Sequence, residues 1–397
     1  MKILFVSAVL PFPLYSGGQV RIYNLLKRLS QKHDIALYAF IRDEKEKQYL
    51  KDLSFCKKVV TVKRGRAWQF RYVMRALTCS YPLLLSTYDS ARMRELIADE
   101  LQRRQYDIIH IEPGYVWPSL PRTKLPVVVS EHNIEHEIYT GFVKHFPVAF
   151  FRFLLSSDVN KLKKWEAKIW RQATRVIAVF DGDKKKMSQV IDSEKISVVK
   201  NGVDLASFPF KPKAVSMKGK MTFLYVGNFA WMENRDAVFH LLKDIWPAVY
   251  GKYPQASLRI VGKNLPQHLR GMADTPGVSF LEHVTDIQTE LQRADIMLAP
   301  IRIGGGTKYK LLEAMASGLP VVTTKLGASG LLVTHDKEIF MADSPEETVR
   351  AIQALIEPVR RMAIVTSART RIEKHYSWET IAEDLNRAWE EAYAEKH

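Results

Sequence analysis

The densest chemistry in the sequence is the run Gly304-Gly305-Gly306-Thr307-Lys308-Tyr309-Lys310-Leu311-Leu312-Glu313-Ala314-Met315-Ala316. Three successive glycines bare backbone N–H groups, more than an ordinary strand-to-helix turn requires. Thr307 can cap a helix that opens with Lys308 and Lys310. The positive end of a helix dipole, backbone amides and two ammonium groups then converge, which suits a phosphate or diphosphate. Glu313 follows Tyr309 and Lys310 by four and three residues and shares their helical face. A carboxylate there cannot hold phosphate, but it accepts hydrogen bonds from ribose or sugar hydroxyls. The pattern points to a nucleotide sugar, held by phosphate and by hydroxyl.

Two further motifs invite chemical readings. Asp181-Gly182-Asp183 has the spacing of a metal-binding pair. Two carboxylates on a strand-to-helix turn are more often an N-cap, and the Lys184-Lys185-Lys186 run that follows disfavours a divalent ion. The segments Lys57–Arg75 and Phe142–Arg171 mix cations with aromatics, among them Trp68, Phe70, Tyr72, Phe146, Phe150, Phe151, Phe153, Trp165 and Trp170. Solvated helix faces over a core would explain them, and so would basic amphipathic helices lying on an anionic membrane.

The elements that must position these groups alternate along the chain. Lys2–Val9, Ile35–Phe40, Ile108–Ile111, Val127–Ser130, Val176–Phe180 and Ile196–Val199 read as strands. Gln19–Leu29, Ala91–Arg103 and Val159–Arg171 read as helices between them. A second set starts at Met221, with strands Thr222–Val226, Ser257–Val261, Ile296–Ala299 and Val321–Thr324. Its helices are Arg235–Val249, Ile287–Arg293, Lys308–Ser317 and Pro345–Leu355, and Trp378–Glu395 closes the chain as an amphipathic helix. Such alternation predicts α/β architecture with doubly wound parallel sheets. The expected domains are residues 1–207 and 221–376, with 208–220 as a linker and 377–397 as a helix crossing back to the first domain.

Composition bounds the rest. The 397 residues exceed one typical core, and 47% hydrophobic content argues against disorder. Cys56 and Cys79 form neither a metal spacing nor a disulfide framework, which fits a reduced, cytoplasmic protein. Met1–Leu10 could pass for a short signal peptide. Pro11 and Pro13 interrupt it and no small-residue cleavage site follows, so a buried strand fits better. No apolar run approaches the ~20 residues of a spanning helix. Of the net charge of +16, residues 1–200 carry +15 and residues 201–397 carry +1. The basic half therefore faces something anionic: nucleic acid, acidic phospholipid or a pyrophosphate-linked acceptor. No nucleic-acid recognition module is legible.

With these pieces in order, the chain resembles the retaining glycosyltransferases of family 4, which have the GT-B fold of two Rossmann-like domains facing a central cleft. The likeness runs from end to end. Gly17-Gly18 is similar to the family's N-terminal glycine loop, Asp107-Ile108-Ile109-His110 to its D-hydrophobic-hydrophobic-H strand, and Glu131-His132-Asn133 to the segment holding its active-site histidine. Lys200-Asn201-Gly202-Val203-Asp204 with Phe208 resembles the segment closing the first domain. Tyr225-Val226-Gly227-Asn228 resembles the turn opening the second, and Ile260-Val261-Gly262 its next strand. Glu313-Ala314-Met315-Ala316 with Gly318, Pro320, Val321 and Val322 is the most specific piece.

There are two departures from the family. The glutamate expected eight residues before Glu313 is Gly305. The arginine expected after the V-G turn is Asn228, and Glu233 or Asn234 stands where a companion lysine belongs. A branch of the family with G-G-G-T-K/R-x-K before L-E-A-M-A looks similar, and in it Lys308 and Lys310 replace the lost cations.

The resemblance implies a metal-independent, hexosyltransferase-like enzyme that takes a nucleoside-diphosphate sugar as substrate, with no cofactor and with retention at the anomeric carbon. Lys308, Lys310 and His132 would act in catalysis, His132 by contacting the transferred sugar, with His136 as its rival. Gly17, Gly18, Gly227, Asn228, Gly304, Gly305, Gly306, Thr307 and Glu313 would bind the donor. The acceptor would be a glycan, a lipid-linked sugar or another cell-envelope component, bound by the basic first domain. Localisation would be cytoplasmic, peripheral at the inner face of an anionic membrane, with no nucleic acid as partner. The alternatives are a GT-B sugar-nucleotide epimerase and a nucleotide-sugar-binding protein with reduced catalysis. A dehydrogenase lacks its G-x-G-x-x-G after the first strand.

Overall fold

The computed structural model describes residues 1–66, 69–144, 149–214, 220–272, 274–282, 284, 286–304 and 307–396. The chain divides into two units, Met1–Lys200 with Ile381–His397, and Asn201–Thr380.

The first unit is built on seven strands: β1 (Lys2–Ser7), β2 (Asp34–Ile41), β3 (Lys58–Lys63), β4 (Ile108–Glu112), β5 (Val127–Ser130), β6 (Arg175–Ala178) and β7 (Ile196–Val198). They form one parallel sheet in the order β3-β2-β1-β4-β5-β6-β7. Val, Ile and Leu fill the central strands without polar alternation because helices cover both faces, and β4, β5 and β6 are buried along their whole length. The strand order reverses between β1 and β4, which opens a crevice at the carboxyl ends of the strands. Met1–Leu10 contributes β1, in register with β2 from Lys2–Asp34 to Ser7–Ala39.

The second unit repeats the plan with β8 (Thr222–Asn228), β9 (Ser257–Lys263), β10 (Val278–Leu281), β11 (Ile296–Ala299), β12 (Val321–Thr323) and β13 (Phe340–Met341). Their parallel order is β10-β9-β8-β11-β12-β13. Phe223, Tyr225, Phe229, Trp246 and Tyr376 anchor its core.

Three expectations are corrected here. The segment 208–220 is not a free linker as far as it is described: Phe208 is buried in the second core, and Lys211 N–H donates to Ser317 O at 3.0 Å. The helix after the glycine loop runs Tyr309–Ser317, with Lys308 rather than Thr307 at its N-cap. At Asp181-Gly182-Asp183 the N-cap is Phe180, and both aspartates lie in the first helical turn. There they still favour the positive end of the dipole.

The basic segment Lys57–Arg75 also resolves into unlike parts, the edge strand β3 and the helix Phe70–Thr78. Trp165 stacks on Tyr81, and Trp170 is buried with its indole N–H on Glu131. Phe70, Met74, Leu77, Phe142 and Phe153 are exposed. Trp68 and Phe146 lie outside the described residues.

The closing helix, Trp378–Ala394, buries Ile381, Leu385, Ala388, Trp389 and Ala392, a stripe at helical spacing. Residues from Ile381 onward pack within the first unit, and each fully buried large apolar side chain contributes about 1.5–3 kcal/mol.

Candidate active site

In the first unit, the carboxyl ends of β1, β4 and β5 bring together residues far apart in sequence. Glu112, the last residue of β4, is wholly buried. Its Oε1 accepts from Arg21 Nε at 2.8 Å and from His132 Nε2 at 2.7 Å, and its Oε2 meets His110 Nε2 at 3.1 Å. Arg21, equally buried, also donates from Nη1 to Lys200 O at 2.7 Å. A carboxylate stripped of water is costly unless paired. Here the Arg21 charge and the two imidazole hydrogen bonds outweigh burial and hold Glu112 well below the usual carboxylate range.

The tautomer of His110 follows from its partners. Trp389 Nε1 can only donate, and it donates to His110 Nδ1 at 2.9 Å. The His110 proton therefore sits on Nε2 and points at Glu112. Burial pushes the His110 pKa down, in keeping with a neutral ring stacked 4.5 Å from Phe5.

His132 follows β5 and is the half-open member of this group, with its side chain 20% exposed. Glu112 fixes Nε2, so Nδ1 and Cε1 turn toward Gly18. A Cβ on Gly18 would lie 3.0 Å from Cε1 and 3.2 Å from Nδ1. Gly18 is thus the residue that lets the imidazole close onto the start of the helix Gly17–Leu29, which Ser16 caps. Of the expected residues, the structure brings Gly17, Gly18 and His132 to one place. His136 is drawn elsewhere, its Nδ1 held at 2.6 Å by Glu166, which also accepts from the Glu135 and His136 amides.

In the second unit, Lys310 is the centre. Its Nζ donates to Asn234 Oδ1 at 2.6 Å and to Tyr225 OH at 3.1 Å, and it lies 4.4 Å from the Tyr225 ring centroid. Tyr225 OH in turn donates to Asn234 Oδ1 at 3.0 Å, and Asn234 Nδ2 donates to Asn228 O at 2.8 Å. These partners are neutral. Burial, reinforced by the neighbouring Lys308 charge, pushes Lys310 down to about 7, with Glu233 and Glu313 opposing. Lys308 is also lowered by burial, against the pull of Glu233. Burial raises Glu313 to about 7, and Lys310 only partly offsets this. Burial thus draws Lys308, Lys310 and Glu313 toward their neutral forms, against the opposing pull of Glu233 on both lysines.

Thr307 is buried, and its hydroxyl finds no hydrogen-bond partner among the described residues. Gly304 has a φ of +96°, the left-handed region that glycine enters without strain. Gly305 and Gly306 lie outside the described residues. Gly227 backs onto the Asn234 amide. The Asn228 side-chain oxygen accepts from Ala230 N–H at 3.0 Å and from Asn264 Nδ2 at 2.9 Å, so that side chain braces its own turn.

Sequence reasoning passed over Arg21, Glu112, Trp389, Tyr225 and the role of Asn234. A carboxylate closing a strand of isoleucines and one histidine (Glu112) and an arginine between Val20 and Ile22 were the available signals. Their meeting depends on the fold.

Two family models match this chain: Glycosyltransferase Family 4 over residues 15–207, and Glycosyl transferases group 1 over residues 220–358. The chain is 28% identical over 305 residues to phosphatidyl-myo-inositol mannosyltransferase of Mycobacterium tuberculosis, spanning 73% of this chain and 75% of that relative. It is 25% identical over 368 residues to an uncharacterised 44.6 kDa protein in the cps region of Klebsiella pneumoniae, spanning 86% of this chain and 87% of that protein. Its fold matches the crystal structure of Anabaena HepE in complex with UDP and glucose, with a TM-score of 0.65 at 17% identity over 98% of this chain and 99% of the other. The two doubly wound units are those of a GT-B fold.

Proposed function

Because this chain is a glycosyltransferase of the family 4 type, we propose that it moves a hexosyl group from a nucleoside-diphosphate sugar to a glycan, lipid-linked or other cell-envelope acceptor, with retention and without a metal. The observation that carries the reading is the grouping of Lys308, Lys310 and Glu313 around the start of the helix Tyr309–Ser317, with the Thr307 hydroxyl buried beside them.

The departing group is a diphosphate, so catalysis is stabilisation of charge as the glycosidic bond breaks. Lys308 and Lys310 supply positive charge at that point, and the backbone of Gly304–Thr307 supplies amides. A dianionic ligand restores full charge to Lys310, which burial otherwise draws down. Ionised Glu313 accepts from ribose hydroxyls. Gly227 and Asn228 shape the floor at the end of β8. In this reading the charge of Lys308 and Lys310 takes the place of a divalent ion at the diphosphate. His132, its Nε2 anchored by Glu112, presents its other edge to the transferred sugar beside Gly17 and Gly18. The UDP and glucose held by Anabaena HepE and the lipid named in the mycobacterial relative support the donor and acceptor classes.

The basic first unit suits a peripheral site on the cytoplasmic face of a membrane. Among the described residues no helix is long and apolar enough to cross one. Phe70, Met74 and Leu77 form an exposed apolar stripe beside Arg71 and Arg75, which favours contact with an anionic surface.

Calorimetry against UDP-, GDP- and ADP-sugars tests the donor assignment. One donor should bind, and Lys310→Ala and Glu313→Ala should each weaken it by about tenfold or more, the scale of a hydrogen bond to a charged group. Unchanged affinity in both variants sinks the assignment. Inverted product by NMR would overturn retention, and activity lost to a chelator but restored by manganese would overturn metal independence.

A further inference from the structure

A second cationic site lies in the first unit, apart from Glu112 and His132. A pocket of about 310 Å³ opens at the carboxyl ends of β2 and β3, lined by Phe40, Lys63, Arg64 and Thr87 and by Arg71 and Arg75 of the helix Phe70–Thr78. The carboxylate in its wall, Asp89, is already paired with Arg75 and, from outside the pocket, Arg94. The lining is therefore strongly positive.

The guanidinium groups are also held in place. Arg64 lies 4.6 Å from the Tyr88 ring centroid, Arg71 4.5 Å from Tyr72 and Arg75 4.9 Å from Tyr81. Stacking on aromatic faces fixes the plane of each fork. Arg75 is engaged by Asp89, Arg71 Nη2 donates to Tyr72 OH at 2.7 Å and Arg64 Nη1 to Gly65 O at 3.3 Å, and the remaining N–H groups of Arg64 and Arg71 are left for ligand. Arg64 Nε is buried and has no hydrogen-bond partner among the described residues. Planar forks of fixed direction match a phosphate better than diffuse surface charge does.

The position is informative as well. β2 pairs with β1 and β3 lies next beyond it at the sheet edge, and β1 leads to Gly17 and Gly18. At ~4.8 Å per strand, the pocket lies roughly 10 Å along the same sheet edge from that glycine turn. We propose that this pocket binds a phosphate or diphosphate group of the acceptor, leaving the acceptor's reacting hydroxyl to reach His132. The inference rests on the reading of the first unit as the acceptor-binding half.

The test uses inorganic pyrophosphate and the full chain carrying Lys308→Ala and Lys310→Ala, so that the donor loop is silent. Calorimetry should still find a pyrophosphate site. Arg64→Gln should weaken it about tenfold, Arg64→Lys should weaken it nearly as much because the fork is lost, and Lys63→Ala with Arg71→Ala should also weaken it. Lys63 and Arg71 are exposed, so that pair keeps the fold and thermal melting confirms it. Pyrophosphate affinity indifferent to all these changes, or Arg64→Lys equal to the parent, overturns the proposal. If the donor-loop changes alone abolish all binding, this inference fails and the donor assignment stands. If they alter nothing while Arg64→Gln does, the pocket stands and the donor assignment fails. Flotation on phosphatidylcholine vesicles containing phosphatidic acid separates the sources. Capture lost in Arg64→Gln and Arg64→Lys assigns the pocket to a lipid-borne phosphate, and pyrophosphate binding without capture assigns it to a soluble one.

Discussion

The buried charges of the two units are handled in opposite ways. In the first, Glu112 sits among Arg21, His110 and His132, and is held ionised by donors that satisfy both its oxygens. In the second, Lys310 donates to the neutral Tyr225 and Asn234 among the described residues, and burial draws it and Glu313 toward neutrality. One arrangement pairs its buried carboxylate within the protein and costs stability if either charged partner, Glu112 or Arg21, is removed. The other is electrostatically unfinished and gains most from an anion brought to it. A preorganised network suits holding a histidine in one orientation, and a poised cation suits meeting charge that arrives with the substrate.

The contrast can be broken most directly by comparing Glu112→Ala with Lys310→Met. Removing Glu112 strands the Arg21 charge in the core and should lower unfolding free energy by about 3–5 kcal/mol in urea denaturation. Lys310→Met removes a charge that burial already disfavours, so stability should hold, while turnover falls by about 10²–10³. Equal loss of stability in the two variants would erase the distinction.

A subtler change sharpens it. Gly18→Ala places a methyl against the His132 ring without touching Glu112. Turnover should fall by up to about 10², with the melting temperature nearly unchanged, because a displaced ring loses aim rather than packing. A wild-type rate would remove His132 from the reaction.

The smallest effect is in proton linkage. Above pH 7 Lys310 is largely neutral in the free protein, and a diphosphate favours its charged form, so donor binding should take up protons at pH 8. Below pH 7 Glu313 is largely protonated, and ribose hydroxyls favour its carboxylate, so binding should release protons at pH 6. Calorimetry in buffers of different ionisation enthalpy reads the sign. Linkage of one sign at both pH values would contradict the opposed titration of the two groups.

Much of this was legible along the chain. Alternating strands and helices gave the doubly wound sheets because apolar periodicity is local, and Val127–Ser130, Ile296–Ala299, Ala91–Arg103 and Ile287–Arg293 match the structure residue for residue. β3 was missed because Lys58-Val59-Val60-Thr61-Val62-Lys63 is an edge strand whose terminal lysines read as part of a basic helix. The supposed linker was misread because its prolines and lysines outweigh, in composition, the buried Phe208 and the Lys211 backbone bond that tie it to the second unit.

By itself the sequence determined the glycine-lysine-glutamate helix entrance, since helix periodicity brings Lys310 and Glu313 to one face whatever the rest of the chain does. Asn234 and Tyr225 joining Lys310, and Glu112 gathering Arg21, His110 and His132, were decided only by the tertiary structure. Parallel strands separated by whole helices link residues 21, 110, 112, 132 and 389 in one hydrogen-bonded chain centred on Glu112, and nothing in the spacing of 21, 112, 132 and 389 along the chain encodes that meeting. The physical reason is that a doubly wound sheet aligns the carboxyl ends of all its strands at one edge, so its chemistry converges there from segments that sequence keeps apart.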